Sequence, residues 1–191
     1  FGWVDEEFVG PFPSWANVKS AYGAVGDGVA DDTAALQQAL NEVATPAHAY
    51  VLYFPAGTYR ITSTLNLNSR ISASLVGDDP VATIIKWDGS TNTDMMSANS
   101  VAYSRWTRLT WDGSGKARGA VHHGYTSGAY QVTGNLHTDE IFKDIGSALY
   151  ADPANGGDSH TIVRCHFLRC FNGIAVGSYN AIDWHVWDSI F

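Results

Sequence analysis

Two Asp-x-His pairs near the end of the chain have the clearest capacity for acid–base chemistry. Asp158 and His160 each precede their counterparts, Asp183 and His185, by 25 positions. Carboxylates about 5 Å apart suit retaining hydrolysis of a glycosidic bond, and a gap of roughly 10 Å suits the inverting reaction. We therefore predict that one Asp is the general acid and the other the base or nucleophile, tuned by the histidines. The alternative is that both form Asx turns beside solvated histidines.

Side chains suited to contact a sugar lie in two places. Tyr179 and Trp184 flank Asp183 and present flat faces of the kind that pack on a pyranose ring. Lys116 and His122, with a further arginine between them, form a basic patch for a uronate carboxylate. We predict all four as substrate-binding residues; a merely exposed basic cluster and aromatic packing within a core stay open.

A short sequence repeat would have to position these groups. Trp87-Asp88-Gly89-Ser90 recurs 24 positions later as residues 111–114. Steps of 25 and 24 positions separate three later markers, Phe142, Phe167 and Phe191. The longer step between the two series indicates a loop insertion around residues 124–134. Units this short, with Asp-Gly and Asn-Gly turns, predict coils of three short strands stacked about 4.8 Å apart.

The same repeat limits whether the two Asp-x-His pairs can meet. Their separation is 25 positions, whereas Phe167 and Phe191 imply a step of 24 for that coil. Because side chains alternate between the two faces of a strand, a one-residue bulge is needed to bring both pairs onto one face. Without such a bulge, the two pairs face opposite sides of the wall.

Alternation also predicts which residues face outward. In residues 163–167 the apolar side chains occupy every second position, so Arg164 points outward. Asp139, Arg164 and Asp188 each precede a marker phenylalanine by three positions and predict an acid–base–acid ladder on the surface. Glu140 breaks this pattern because it would point inward, and the sequence leaves two explanations open: a bulge, or a position facing the insertion loop.

The N-terminal part carries the helical pattern of the chain. Asp31 or Asp32 would cap a helix whose apolar residues recur at helical spacing, namely Ala35, Leu36, Ala39, Leu40 and Val43. The preceding glycine-rich turn is not a phosphate-binding loop, because two carboxylates would repel an anion and no Gly-Lys-Ser/Thr follows. We therefore predict structural roles for Asp27, Asp31 and Asp32.

The same N-terminal segment resembles that of a known superfamily. A glycine-rich turn at residues 22–28 leads into Asp31-Asp32, and the strand at residues 51–59 is broken by Pro55-Ala56-Gly57. This combination is similar to the N-terminal entry of the pectate-lyase-like superfamily of right-handed parallel β-helix proteins. The resemblance covers residues 17–75, and beyond them only the repeat pattern. It implies that fold and a carbohydrate-related function, without selecting one reaction.

The resemblance has two implications for the site. Pectate lyases allow a Ca²⁺ site, here formed by Asp152, Asp158 and carbonyl oxygens, although no EF-hand-like Ca²⁺ spacing occurs. We expect no cofactor, with Ca²⁺ as the alternative, and no zinc, because the histidines lack a third ligand at a suitable spacing. The Gly-His-Gly and Arg-Ile-Lys motifs of polygalacturonase-type hydrolases do not occur, so no catalytic residue is carried over from them.

Composition narrows the partners. The chain has 191 residues, with 11 Lys and Arg against 19 Asp and Glu, and a net charge of −8. This balance argues against nucleic acid and anionic membrane surfaces, and no apolar run is long enough to span a membrane. Cys165 and Cys170 are predicted to fill the interior as small apolar groups. A first residue other than Met fits a cleaved secretion signal, or proteolysis, and we expect a secreted or cell-surface protein.

Together these patterns predict one all-β domain over residues 1–191, a right-handed parallel β-helix with 24–25 residues per coil. Residues 1–50 form an N-terminal segment with a short capping α-helix, and residues 51–191 form the coils. A strand pattern that stops at Phe191 would leave an open edge. We therefore expect the β-helix to be incomplete at its C-terminus and to be continued by another segment or chain, or in a homo-oligomer.

The predicted function is that of a glycoside hydrolase acting on a polysaccharide or oligosaccharide through the carboxylate pair on the outer wall. Two alternatives stay open. A polysaccharide lyase would cleave a uronate polymer by β-elimination, using a base and a group that neutralises the carboxylate. A non-catalytic glycan-binding module, of the tailspike or adhesin kind, would use the same wall for binding alone.

Overall fold

The computed structural model describes residues 10–125, 131–151, 157, 159–177 and 183–191. Its strands pair in parallel and form three sheets, in which each strand contacts its counterparts in the neighbouring coils. This is the predicted right-handed parallel β-helix, with a helix over its N-terminal end. Within the described ranges, no helix is long and apolar enough to cross a membrane.

The three sheets form the walls of the coil and are called A, B and C. Sheet A contains, in spatial order, β1 (Ala16–Asn17), β3 (Val51–Phe54), β6 (Ser74–Gly77), β9 (Arg105–Thr107), β12 (Leu136–Thr138), β15 (Thr161–Val163) and β18 (His185–Trp187). Sheet B contains β2 (Asp27–Asp31), β4 (Gly57–Ile61), β7 (Thr83–Trp87), β10 (Thr110–Asp112), β13 (Ile141–Lys143) and β16 (His166–Leu168). Sheet C contains β5 (Leu65–Ile71), β8 (Met96–Ala102), β11 (Gly119–Gly124), β14 (Ser147–Ala151) and β17 (Asn172–Val176).

The capping helix is α2 (Thr33–Glu42), which follows a short helix α1 (Val18–Tyr22) that the sequence did not indicate. The predicted apolar stripe of α2 is buried in the core, at Leu36, Ala39, Leu40 and Val43. The predicted capping differs in detail. The carboxylate of Asp32 accepts hydrogen bonds from the N–H groups of Val25 at 2.6 Å and Gly26 at 3.1 Å, while Asp31 accepts one from the Thr33 N–H at 3.0 Å. These aspartates are therefore structural, as predicted.

The register of sheet B corrects part of the predicted repeat. Trp111 pairs with Ile85 rather than with Trp87, so the two Trp-Asp-Gly-Ser segments are two positions out of register. The indoles explain the difference. Trp87 Nε1 donates to the Ser90 carbonyl of its own turn at 3.1 Å, whereas Trp111 Nε1 donates to Glu140 in the next coil at 2.8 Å. The same tetrapeptide is thus used in two different ways.

The three marker phenylalanines are confirmed as one stacked column, in which Phe142 and Phe167 are buried and Phe191 is exposed. Phe142 pairs with Trp111 in the preceding coil and with Phe167 in the next. Phe167 also stacks on Phe191, and the ring centroids along the column are 5.2 and 4.6 Å apart with planes within 9° of parallel. The later coils are therefore registered by aromatic contacts in the core. Cys165 is buried as predicted, and Cys170 is partly buried.

Single residues in the left-handed conformation turn the corner from sheet A to sheet B. In four coils these are Arg108, Asp139, Arg164 and Asp188, with φ between 48° and 55°. Arg164 donates to both carboxylate oxygens of Asp139, at 2.7 and 2.8 Å, which confirms the first step of the predicted ladder. Directly after this corner, Glu140 points into the core, fully buried. This inward orientation is the one that the alternation predicted, and Trp111 Nε1 donates to the carboxylate there.

Replacing Phe142 by Ala tests the stacked column. Removing a buried ring between Trp111 and Phe167 should lower the free energy of unfolding by about 3–5 kcal/mol. Phe171, which is 88% exposed, provides the matched control; its replacement by Ala should change the free energy by less than about 0.5 kcal/mol. Urea-induced unfolding measures both, and equal losses in the two variants would contradict the proposed stacking.

Candidate functional site

Four polar side chains converge on the outer face of sheet C. Asp94 precedes β8, Arg118 precedes β11, His122 lies in β11, and Tyr150 lies in β14. The parallel register places His122 directly beside Tyr150 of the next coil. Because side chains alternate along a strand, His122 faces outward while the next residue, His123, faces the interior. We call Asp94, Arg118, His122 and Tyr150 the outer-wall cluster.

Asp94 holds the outer-wall cluster together. Its carboxylate accepts hydrogen bonds from Arg118 Nε at 2.9 Å and from Arg118 Nη2, and a further one from the Tyr150 hydroxyl at 2.5 Å. His122 Nδ1 lies 3.7 Å from the same carboxylate. Asp94 is only 5% exposed, and hydrogen bonds to an ionised group are stronger than neutral ones. The buried carboxylate therefore fixes the positions of Arg118 and Tyr150.

The rings of His122 and Tyr150 stack face to face. Their centroids are 4.3 Å apart and their planes differ by 6°. The guanidinium carbon of Arg118 lies 5.6 Å from the Tyr150 ring centroid, a cation–π contact. The Arg118 side chain is 52% exposed. The cluster thus presents a cation, an imidazole and a phenol at one place on the surface, with the carboxylate behind them.

Two glycines of β11 make room for these rings. A Cβ atom on Gly119 would lie 2.5 Å from Tyr150 Cε1 and 3.0 Å from Asp94 Oδ1. A Cβ atom on Gly124 would lie 3.2 Å from His122 Nε2. Neither glycine has a positive φ, so the requirement for glycine at these positions is steric. Gly119 is therefore a positioning residue for Tyr150 and Asp94.

The electrostatics of the outer-wall cluster keep its phenol protonated. Burial, and then the hydrogen bond to Asp94, raise the pKa of Tyr150 well above its ordinary value. The hydrogen bonds to Asp94 also raise the pKa of Arg118, which is fully charged in any case. At neutral pH, Tyr150 is thus a proton donor, and Arg118 is a fixed positive charge.

A cavity of about 320 Å³ opens beside the cluster, lined by Arg118, Ser147, Tyr150, Ala151, Ala175 and Gly177. Its size lies at the lower end of the range for small-molecule sites. Ala175 of β17 pairs with Tyr150. One face of the Tyr150 ring is stacked on His122. The other face borders the cavity, because the side chain of Ala175 is only a methyl group.

The predicted substrate-binding residues are split between two walls. His122 belongs to the outer-wall cluster. Lys116 does not, since its Nζ lies 3.1 Å from Asp88 Oδ1 and the pair lines a separate cavity of about 310 Å³ with Arg60 and Lys86. The physical reason is the corner between sheets B and C, which lies between Lys116 and β11.

The histidines of the two Asp-x-His pairs do not stack, which is the outcome expected without a bulge. His185 in β18 pairs with Thr161, one position beyond His160, so the coil step is 24 and the required bulge is absent from this pairing. His160 is fully buried in the interior, whereas His185 and Asp183 are exposed. Trp184 also packs inward, with its ring centroid 4.4 Å from that of His160. His160 and Trp184 therefore do not lie on a substrate-facing wall.

Three residues from the sequence predictions fall outside the part of the chain that the structure describes: Asp152, Asp158 and Tyr179. Their proposed roles in catalysis, in Ca²⁺ binding and in sugar binding stay predictions. Among the described residues, no group of three or more His, Cys, Asp or Glu side chains is arranged to hold a metal ion.

Sequence reasoning missed Asp94 and Tyr150. Tyr150 points outward between the buried Leu149 and Ala151, but the repeat step across the insertion hid its pairing with His122. Asp94 precedes its strand and belongs to no repeat. The predicted basic patch did indicate part of the site, because Arg118 and His122 both belong to the outer-wall cluster.

Comparisons with known proteins agree with this architecture. Residues 15–116 match the family described as rhamnogalacturonase A/epimerase, pectate lyase-like. The mannuronan C5-epimerase AlgE2 of Azotobacter vinelandii is 34% identical over 128 residues, which is 59% of this chain and 12% of that protein. AlgE5 of the same organism is also 34% identical over 128 residues, with the same coverage of both chains. This chain thus spans about an eighth of the length of these relatives.

Solved structures show the same fold. The A-module of the Azotobacter vinelandii mannuronan C-5 epimerase AlgE4 matches with a TM-score of 0.67 and 22% identity, over 92% of this chain and 50% of that one. ORF18 of Geobacillus virus E2 matches with a TM-score of 0.59 and 22% identity, over 92% of this chain and 41% of that one.

Replacing Gly119 by Ala should displace the Tyr150 ring from β11. The added methyl group would occupy the place of Tyr150 Cε1, so the stacking on His122 and the hydrogen bond to Asp94 should both weaken. NMR should then show the His122 ring protons moving toward random-coil shifts and the pKa of Tyr150 falling toward its ordinary range.

Gly124→Ala is the graded comparison, because its methyl group would crowd His122 less severely and leave Tyr150 in place. It should move the His122 resonances slightly and leave the pKa of Tyr150 unchanged. Unaltered His122 and Tyr150 signals in the Gly119→Ala variant would show that β11 does not seat the ring.

Proposed function

Since the chain belongs to the rhamnogalacturonase A/epimerase, pectate lyase-like family, we propose that the outer-wall cluster removes the C5 proton of a uronate residue in a polysaccharide. The single observation that carries this proposal is the contact of His122, Tyr150 and Arg118 around the buried Asp94 carboxylate. Abstraction of a proton next to a carboxylate needs a base, a proton donor and a cation for the developing charge. The outer-wall cluster has one of each.

The proposed roles follow from exposure and charge. Arg118 turns Nε and Nη2 toward Asp94, which leaves its exposed edge for the uronate carboxylate. His122 takes the C5 proton through Nδ1, because its Nε2 is buried and imidazole has an ordinary pKa nearest neutrality. The electrons of the broken C–H bond move into the carboxylate, where Arg118 stabilises the enolate. Burial and the hydrogen bond to Asp94 keep Tyr150 protonated, so it can supply a proton in the second step, to the oxygen that leaves C4. Asp94 positions Arg118 and Tyr150 and touches no substrate.

Two outcomes share this first step. Transfer of a proton from solvent water to C5 on the opposite face of the sugar gives epimerisation, the activity named for the curated relatives. Expulsion of the oxygen at C4, protonated by Tyr150, gives β-elimination. We propose epimerisation first because of those relatives. Elimination is the second candidate, because His122 and Tyr150 stack on one wall and so approach the sugar from one side.

Hydrolysis by a carboxylate pair is the weaker candidate. It depends on Asp158, which is not among the described residues, and on Asp183, whose neighbour His185 is out of step with His160. The carboxylate of the outer-wall cluster is already bound by Arg118 and Tyr150. We therefore propose a polysaccharide-modifying enzyme of the epimerase or lyase type, acting on an extracellular uronate polymer.

The test incubates the protein with poly-mannuronate in D₂O. Deuterium at C5, detected by NMR, reports proton abstraction, and an unsaturated product absorbing in the ultraviolet reports elimination. Tyr150→Phe keeps the stacked ring but removes the proton donor, and should lower the rate about 10²–10⁴-fold. Arg118→Gln removes the cation and should lower it about 10²–10³-fold.

Two controls on other walls match these changes. Tyr53 donates to Asp78 at 2.9 Å, as Tyr150 does to Asp94, and Arg169 pairs with both oxygens of Asp144 at 2.6 and 2.7 Å. Tyr53→Phe and Arg169→Gln should keep the parent rate. New reducing ends without deuterium or unsaturation would favour hydrolysis, and full activity of Tyr150→Phe would remove the outer-wall cluster from the chemistry.

A further inference from the structure

A second polar cluster lies inside the β-helix, on the inner side of β11. His123 of β11, His137 of β12, His160 and Glu140 are each fully buried, and we call them the core imidazole cluster. His123 contacts both other rings, with centroids 5.2 Å from His137 and 4.5 Å from His160. Trp184 covers His160 at 4.4 Å. Three imidazoles and a carboxylate thus replace hydrocarbon in the core.

One half of the core imidazole cluster is internally satisfied. Glu140 accepts from Trp111 Nε1 at 2.8 Å and contacts His137 Nδ1 at 2.6 Å, and His137 Nε2 lies 2.9 Å from His123 Nε2. A bare carboxylate in an apolar interior would be very costly, whereas a net-neutral pair costs less. Glu140 and His137 therefore satisfy each other's hydrogen-bonding groups.

The other half has no means of holding a further proton. Three ring nitrogens of this half lack a hydrogen-bond partner among the described residues: His123 Nδ1, His160 Nδ1 and His160 Nε2. A proton added to either ring would gain no acceptor there. It would also place a net positive charge in a low-dielectric interior, which is strongly unfavourable.

Among the residues that the structure describes, the ionisable groups around these rings do not offset such a charge. Glu140 is already engaged with His137 and Trp111. Cys165, in the next coil, is a thiol whose pKa burial raises, so it carries no negative charge at neutral pH. His122, behind His123 on the outer face of β11, would only add positive charge. The core imidazole cluster is therefore compatible with the folded coil only while His123 and His160 are neutral.

The proton affinities follow this geometry. Burial, and then the neighbouring His137, lower the pKa of His160 to about 3. Burial, followed by His160, His137 and His122, lowers the pKa of His123 well below its ordinary value. Both rings thus stay neutral in the closed coil at pH values where an exposed histidine is already charged.

We propose that the core imidazole cluster makes one part of the β-helix sensitive to acid. When the pH falls below that at which an exposed histidine is protonated, the coils containing β11, β12, β15 and β18 open before the rest of the stack. Opening would separate β11 from β14 and so take His122 away from Tyr150. The loss of activity rests on the proposed function, but the opening itself does not.

The sign and size of the pH dependence of opening follow from proton linkage. Below the ordinary histidine pKa of about 6.5, the opened coils bind two protons that the closed coils do not, so closure is favoured above this pH and lost as the pH falls. Between about pH 6 and pH 4, each ring should raise the equilibrium constant for opening about tenfold per pH unit. The two rings together should raise it about 100-fold per pH unit.

The experiment measures amide hydrogen-exchange protection of the whole chain across this pH range. Amides of β11, β12 and β15 should lose protection before those of β3–β8. His160→Phe fills the same space without a titratable group, so its opening constant should rise about tenfold per pH unit in place of about 100-fold. His166, which is exposed, supplies the control: His166→Phe should behave as the parent.

Equal slopes in the parent and His160→Phe would overturn the proposal, as would earlier loss of protection in β3–β8. If His160→Phe does not fold, an NMR titration of the histidine rings in the parent protein tests the proposal instead. The proposal would be contradicted if the rings of His123 and His160 gained protons near the ordinary histidine pKa while the amides of β11 stayed protected from exchange. Because no readout is enzymatic, an inactive outer-wall cluster would leave this result unaffected.

Discussion

Parallel backbone pairing between successive coils is the constraint on which the rest of this structure depends. Once a strand is paired, every side chain is committed to the interior or to the surface, and its neighbours in the adjacent coils are fixed. In sheet C this pairing sets His122 beside Tyr150. In sheet B it sets Phe142 between Trp111 and Phe167. Neither contact is local in sequence, and a slip of one residue would exchange the two faces.

Strand β11 shows how much chemistry one registered strand can organise. Its outer face carries His122, its inner face carries His123, and glycines at both ends accommodate the rings of the outer-wall cluster. Of the outer groups, Arg118 reaches solvent and the buried Asp94 carboxylate binds it from behind. The inner groups are neutral and enclosed, and are tolerated because Glu140 and His137 satisfy each other. Burial thus lowers the pKa of His123, the inward-facing neighbour of His122.

The sequence was sufficient for the architecture and for part of the site. Helix α2 and the phenylalanine column follow from local periodicity, which survives because apolar burial enforces it. The placement of His160 could not be predicted, because a histidine in a turn resembles a solvated residue until the indole of Trp184 is seen over it. Asp94 and Tyr150 were missed because their contact depends on the length of an insertion, which shifts the repeat step without leaving a periodic signal.

The central claim is that a uronate binds on the outer face of sheet C, against the cluster that Asp94 holds. A crystal structure of the Tyr150→Phe variant with a bound mannuronate oligosaccharide tests it most directly. We expect a sugar carboxylate in contact with the Arg118 guanidinium and a pyranose ring in the cavity beside Ala175. An oligosaccharide bound instead at Asp183 and His185, or at Lys116 on the neighbouring wall, would contradict the account.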